Sequence, residues 1–215
     1  MYVKDYMTRN PYTITPNKTV SDAINVMSVS DVHRLPVVDQ KGKLIGLLTQ
    51  GRIQKNTPNN TSTLSVFELN YLLNKLSVND IMKNVEDVVT IGPDALLEEA
   101  ATVMRKGDIG SLPVVDKDNN LIGIITHNDI FTAFINLLGY NNSGLRYVIN
   151  VKEDKPGIME EIARCFSENG ISINNLAVYN NVRGIEVVVI AADKEDITKQ
   201  LIEKGFNVTS TTLYN

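Results

Sequence analysis

Two stretches of this chain are near copies of each other. Residues 34–39 read RLPVVD and lead into LIGLLTQGR at 44–52; residues 111–116 read SLPVVD and lead into LIGIITHND at 121–129. The offset is 77 residues at the leucines (Leu35, Leu112), at the glycines (Gly46, Gly123) and at the threonines (Thr49, Thr126). A repeat held in register this well makes each copy one structural unit, and such units pack on one another.

The copies share more than this stretch. Each opens on a VxDhM pattern, VKDYM at 3–7 and VNDIM at 78–82. Thr-Ile-x-Pro follows at 13–16 and 90–93 and predicts a short strand stopped by proline. Val20, Ala23, Ile24 and Met27 then fall at helical spacing, as do Leu97, Ala100, Ala101 and Met104, giving one apolar stripe per helix. Thr19 and Asp22 form a capping pair for the first of these. The LPVVD run is short, apolar and β-branched, and predicts a buried strand. A hairpin turn at 40–43 or 116–120 leads to a return strand at 44–48 or 121–125. In copy two a helix is expected over 129–138, stopped by Gly139. In copy one QKNTPNNTST at 54–63 predicts an exposed loop, followed by an amphipathic helix over 64–76.

Past a linker the pattern changes. Tyr147, Ile149 and Val151 alternate as in a strand. Pro156 and Gly157 start a helix with Ile158, Met159, Ile162, Cys165 and Phe166 on one face. Strands at 171–179 and 185–191, a helix marked by Ile197, Leu201 and Ile202, and a strand at 206–211 complete a βαββαβ order, the ferredoxin-like split unit. The fold class is therefore α/β (α+β), with domains expected at 1–76 and 77–139, a linker at 140–145, and a last domain at 146–215.

Composition excludes several functions. The net charge of −4 is evenly spread, which argues against bulk electrostatic binding to nucleic acid or to an acidic membrane. A single cysteine, Cys165, excludes an internal disulfide and any multi-cysteine metal site; it reads as a small hydrophobe on a core-facing helix position. The two histidines, His33 and His127, have no neighbouring ligands for a metal and no nucleophile to serve. No P-loop, GxGxxG turn or HExxH occurs, so no catalytic residue and no metal ligand is assigned and an enzyme is not expected. No stretch approaches the ~20 apolar residues of a membrane span. The first residues lack a signal-type apolar core, and the expected location is cytoplasmic.

The sharpest local feature is Thr126 and Asp129, where a strand runs into a helix. A carboxylate can accept hydrogen bonds from both hydroxyls of a ribose, and a threonine hydroxyl adds another; the helix N-terminus favours a phosphate. The same two residues also suit a plain helix start, and their spacing leaves both roles open.

VxDhM, Thr-Ile-x-Pro, the apolar helix, LPVVD, hIGhhT and the threonine–aspartate ending together resemble tandem cystathionine-β-synthase (CBS) domains, the pair called a Bateman module, over roughly residues 1–138. The resemblance implies a regulatory module that binds an adenosine-containing ligand (AMP, ADP or ATP, less so S-adenosylmethionine or NAD) in a cleft between the repeats. It places Thr126 and Asp129 on the ribose, Arg34 on the phosphate, Val32 and His33 as the wall, and Val3, Lys4 and Asp5 at adenine and backbone contacts. The other cleft departs from the family pattern: Arg52 stands where the ribose aspartate belongs, and Gly110-Ser111 stands where copy one has His33-Arg34, so one competent nucleotide site is expected.

Residues 146–213 resemble an ACT domain through Asp154, Pro156, Gly157 and, opposite, Asn174, which would line an amino-acid effector site; helix initiation and a turn cap are the alternative roles of these residues. The domain order resembles acetoin-utilisation B-type proteins. The expectation is thus a non-catalytic sensor, homodimeric, acting on an unidentified enzyme, with no nucleic-acid or membrane partner. The alternative is a purely structural accessory subunit of a metabolic enzyme that binds no ligand.

Overall fold

A computed structural model describes residues 1–57, 66–153, 155–181 and 184–214. The chain forms two compact units, Met1–Ile130 and Phe131–Asn215.

In the first unit each repeat builds a helix, a hairpin and a further helix. Helix α1 (Val3–Tyr6) and strand β1 (Thr8–Arg9) come first, then α2 (Val20–Val29), β2 (Arg34–Val38), β3 (Leu44–Thr49), α3 (Gln50–Asn56) and α4 (Val66–Lys75). The second repeat runs α5 (Val78–Ile81), β4 (Lys83–Asn84), α6 (Leu97–Gly107), β5 (Ser111–Val115), β6 (Leu121–Thr126) and α7 (His127–Leu137). The capping pair expected at α2 is present: Thr19 Oγ1 accepts from Asp22 N, and Thr19 N donates to the Asp22 carboxylate, both at 3.0 Å.

Two expectations are corrected. Residues 54–56 continue helix α3 instead of starting a loop, because Ile53 is buried and anchors that turn in the core; the rest of the expected loop, 58–63, lies outside the described residues. The Thr-Ile-x-Pro segments are not strands but single parallel bridges, Ile14 to Val37 and Ile91 to Val114. Each isoleucine exchanges its backbone hydrogen bonds with the strand beside it and is buried there.

The sheets reveal an exchange. β1 of the first repeat pairs antiparallel with β6 of the second, and β4 of the second pairs with β3 of the first, giving sheet orders β1-β6-β5 and β2-β3-β4. Helix α1 follows its strand: Val3 N donates to Ala95 O and Lys4 N to Pro93 O, both at 2.9 Å. Helix α5 sits reciprocally, with Val78 N on Lys18 O and Asn79 N on Pro16 O. Val78 and Ile81 are accordingly buried with Val20, Ala23, Leu35, Leu48 and Ile53 in the first repeat's core.

The hairpin turns meet across the pseudo-twofold. Leu44 N donates to Asn119 O and Leu121 N to Gly42 O, one repeat length apart. Gly42 and Asn119 occupy equivalent positions and both take positive φ, 83° and 65°. The aspartate that ends each LPVVD run makes the turn: one carboxylate oxygen of Asp39 accepts from the backbone of Lys41 and Lys43, and one of Asp116 from Asp118 and Asn120.

The second unit holds a four-stranded antiparallel sheet, order β10-β7-β9-β8, from β7 (Gly144–Val151), β8 (Ile173–Asn181), β9 (Gly184–Ala191) and β10 (Asn207–Tyr214). Helices α8 (Ile158–Glu168) and α9 (Thr198–Glu203) complete the βαββαβ order. Tyr147 is fully buried between them; its hydroxyl accepts from Ile197 N and donates to Glu195 O, and its ring meets Phe166 edge-on. Cys165 lies in the same core, its Sγ donating to Glu161 O, and burial pushes its thiol pKa up. Among the described residues no helix is long and apolar enough to cross a membrane.

Candidate functional site

A strand running straight into a helix puts the strand's last side chain and the helix's third residue beside each other. In the second repeat these are Thr126 and Asp129. Asp129 Oδ2 accepts from Thr126 N at 2.7 Å and from Thr126 Oγ1 at 2.8 Å. Both bonds fall on one carboxylate oxygen, which leaves Oδ1 outside this pairing and fixes its direction. The pair is a helix start, and the same geometry leaves Oδ1 as a second acceptor oxygen.

The equivalent turn of the first repeat is built differently. Thr49 Oγ1 accepts from Arg52 N at 3.2 Å, so the threonine still caps its helix. The Arg52 side chain turns the other way: Nε donates to Ile81 O at 2.7 Å and Nη2 to Met82 O at 3.3 Å. A cation thus holds the carbonyl end of α5, the segment the second repeat lends to the first.

Two neighbouring cavities lie in this unit. One, of about 450 Å³, is lined by Thr8, Pro11, Tyr12, Asp31, Val32, His33 and Arg34 on one side and Gly110, Ile124, Thr126, His127 and Asn128 on the other. It is of a size that suits a small organic ligand. The sequence-derived residues Val32, His33, Arg34 and Thr126 come together here, and Asp129 stands behind Thr126 through its two bonds.

Val3, Lys4 and Asp5 are not among the lining residues. Val3 is fully buried, Lys4 pairs with Asp94 at 2.7 Å, and Asp5 accepts from Tyr2 N at the start of α1. The hydrogen bond and charge of Asp94 hold the Lys4 ammonium pKa above its ordinary value. The N-terminal contribution to the cavity comes a few residues later, from Thr8, Pro11 and the exposed ring of Tyr12. The pattern VxDhM marked the helix that docks this segment; the lining residues follow it.

The second cavity, of about 560 Å³, is lined by Leu47, Thr49, Gln50, Gly51, Arg52, Lys83, Val88, Val89, Asp108, Ile109 and Ser111, and it shares His33, Arg34 and Gly110 with the first. Gly110-Ser111 brings no cation to this cleft, but Arg34, beside Thr49 in the first repeat's own sheet, lines it together with Arg52 and Lys83. Gly110 makes room for Arg34. A Cβ there would lie 2.1 Å from Arg34 Nη2 and 3.0 Å from Cζ, so the guanidinium occupies the space a side chain would fill. The sequence carried this signal as a glycine standing opposite His33.

In the second unit Asp154 lies outside the described residues. Gly157 starts α8 with φ at 96°, and nothing stands within 4 Å of the position its Cβ would take. Pro156 is exposed, and Asn174 is an exposed bulge residue between Ile173 and Asn175 on β8. Gly157 is accounted for by the left-handed turn alone. Among the described residues no cluster of three or more His, Cys, Asp or Glu offers a metal site.

A model of the CBS domain matches residues 3–57 and 78–136. A CBS domain-containing protein of Dictyostelium discoideum is 34% identical over 63% of this chain and 92% of its own length. Inosine-5'-monophosphate dehydrogenase of Methanocaldococcus jannaschii is 38% identical over 55% of this chain, but that span is only 20% of the enzyme. Among solved structures, a Vibrio cholerae protein named for acetoin utilization (AcuB) is 35% identical with a TM-score of 0.54, covering 66% of this chain and 95% of that one. CBSX2 in complex with AMP is 28% identical with a TM-score of 0.52, covering 63% of this chain and 96% of that one.

Proposed function

The chain belongs to the CBS-domain family, and from that premise we propose that it is a non-catalytic sensor of an adenine nucleotide held between its repeats. One observation carries the reading: Arg34, His33 and Val32 from one repeat and Thr126, backed by Asp129, from the other line a single cavity. Asp129 Oδ1 and Thr126 would take the ribose hydroxyls, Arg34 the phosphate, and the Tyr12 ring would face the base. The AMP bound by CBSX2 supports this ligand class. Ligand binding across two repeats would bias their mutual arrangement and so signal to a partner.

The regulated partner would be a metabolic enzyme, since the same module is part of inosine-5'-monophosphate dehydrogenase in a related chain. The likeness to AcuB supports a place in acetoin utilization. The C-terminal unit would be an ACT domain, with Asp154, Pro156 and Gly157 in its effector loop and Asn174 opposite. A homodimer is supported by the exposed helical stripe Phe131, Phe134, Ile135 and Leu138.

The test is isothermal titration calorimetry with AMP, ADP, ATP, NAD and S-adenosylmethionine. Asp129→Ala should weaken nucleotide binding at least about tenfold, as the loss of a charged hydrogen-bond acceptor predicts. No binding of any adenosine ligand at millimolar concentration would refute the sensor reading and favour the accessory-subunit role, for which the same exposed stripe is the supporting observation.

A further inference from the structure

We propose that the second cavity is a phosphate pocket, taking the outer phosphates of the nucleotide held in the first cleft instead of a second nucleoside. The inference rests on the nucleotide reading above and extends it to the choice of ligand. Three observations carry it.

The first is what a second nucleoside would lack. The position that presents a carboxylate in the second repeat is Arg52 here, and a guanidinium accepts no hydrogen bond from a ribose hydroxyl. Arg52 is also held in place, with Nε and Nη2 on the carbonyls of Ile81 and Met82, so it does not swing aside. Its Nη1 lies outside that strap.

The second is charge. Arg34, Arg52 and Lys83 line this cavity against one carboxylate, Asp108, with His33 as the remaining titratable group. The first cavity has Arg34 against Asp31, with His33 and His127. The excess of fixed cations thus lies in the second cavity, where a chain of phosphates would run. Two guanidinium groups and an ammonium are the side chains that phosphate oxygens bind best.

The third is Ser111. It is 4% exposed, it lines this cavity, and its hydroxyl has no hydrogen-bond partner among the described residues. A buried hydroxyl without a partner is disfavoured, and an anion in the cavity would supply the acceptor. His33, Arg34 and Gly110 line both cavities, so one molecule passing the Arg34 guanidinium reaches from one into the other.

The experiment compares AMP, ADP and ATP binding to the full chain by calorimetry, at fixed salt, in wild type, Lys83→Met and Ser111→Ala. Wild type should bind ATP at least about tenfold more tightly than AMP, the gain of one further charged hydrogen bond. The ATP-to-AMP ratio should fall toward one in Lys83→Met and drop partly in Ser111→Ala. Equal AMP and ATP affinities, an unchanged ratio in Lys83→Met, or two nucleotides bound per chain would each overturn the proposal. Inorganic pyrophosphate is titrated in the presence of AMP. Pyrophosphate binding with no ATP advantage would make the phosphate a separate ion and overturn the assignment to the nucleotide's own tail. Failure of every nucleotide to bind, with pyrophosphate still binding, would instead sink the nucleoside cleft.

Discussion

Gly110→Ala separates the reach of Arg34 from its charge. The new methyl would stand 2.1 Å from Nη2 and 3.0 Å from Cζ, against the 3.5 Å or more that carbon contacts require, so the guanidinium must leave its place between the two cavities. The obstructing atoms are the end of a flexible side chain, and Gly110 does not hold a positive φ, so the fold accommodates the change. Alanine also restricts the unfolded chain slightly more than glycine, a gain of about 0.4–1 kcal/mol. Stability should therefore stay within about 1 kcal/mol of wild type. Binding should not. A charged hydrogen bond to a phosphate is worth about 1.5–3 kcal/mol, which converts to AMP binding weaker by about 10- to 150-fold. The assay is calorimetry with AMP alongside urea unfolding, with Arg34→Ala setting the ceiling on the loss. Adding Gly110→Ala to Arg34→Ala should then cost little more, because both act on one group. Wild-type AMP affinity in Gly110→Ala, with a normal unfolding midpoint, would refute the placement of Arg34 on the phosphate.

Two further predictions concern the frame. Arg52→Ala removes two charge-assisted bonds to the Ile81 and Met82 carbonyls and should destabilise the first unit by about 2 kcal/mol, read as a lower urea midpoint. Arg52→Lys, which keeps the charge but not the fork, should recover only part of this; an unchanged midpoint in the alanine variant would show that the strap contributes nothing. Asp116 is held below the usual carboxylate range, first by the Asn120 side-chain amide and then by the backbone amides of Asn120 and Asp118. A depressed native pKa means that the contribution is full above the ordinary carboxylate pKa and is lost as pH falls through the lower native value. The stability gap between wild type and Asp116→Asn should accordingly narrow on acidification below the ordinary range, and a gap that widens in urea melts from pH 7 to pH 3 would contradict the turn geometry.

Local chemistry made much of this architecture readable. Thr19 and Asp22 announced a capped helix, and the turns at 40–43 and 116–120 announced two hairpins; all of these are present. What could not be read was long-range. VKDYM and VNDIM are so alike that nothing in either says which sheet its strand will join; the exchange buries Val78 and Ile81 in the first repeat's core and sets the fully buried Val3 on Ala95 of the second. The geometry of the candidate cavity was legible where one turn builds it, at Thr126 and Asp129, and not where distant segments line it. Val3, Lys4 and Asp5 drew notice as a motif, whereas Thr8, Pro11 and Tyr12 have no pattern and reach the cavity only through β1 pairing with β6. Gly110 looked like a missing histidine because a repeat comparison registers what a position lacks and not what its neighbour does with the space.

The crossing of β1 and β4 between the repeats also sets an order of events during synthesis. The ribosome adds about 5–20 residues per second, and N-terminal portions of a chain fold as they emerge. Here the first repeat cannot finish its sheet until Lys83 and Asn84 have been made, since they supply its third strand. Thr8 and Arg9 have no partner strand until β6 is complete at Thr126. A strand made early is thus among the last of its unit to find its place, and a deletion of β1 is felt in the sheet of the second repeat.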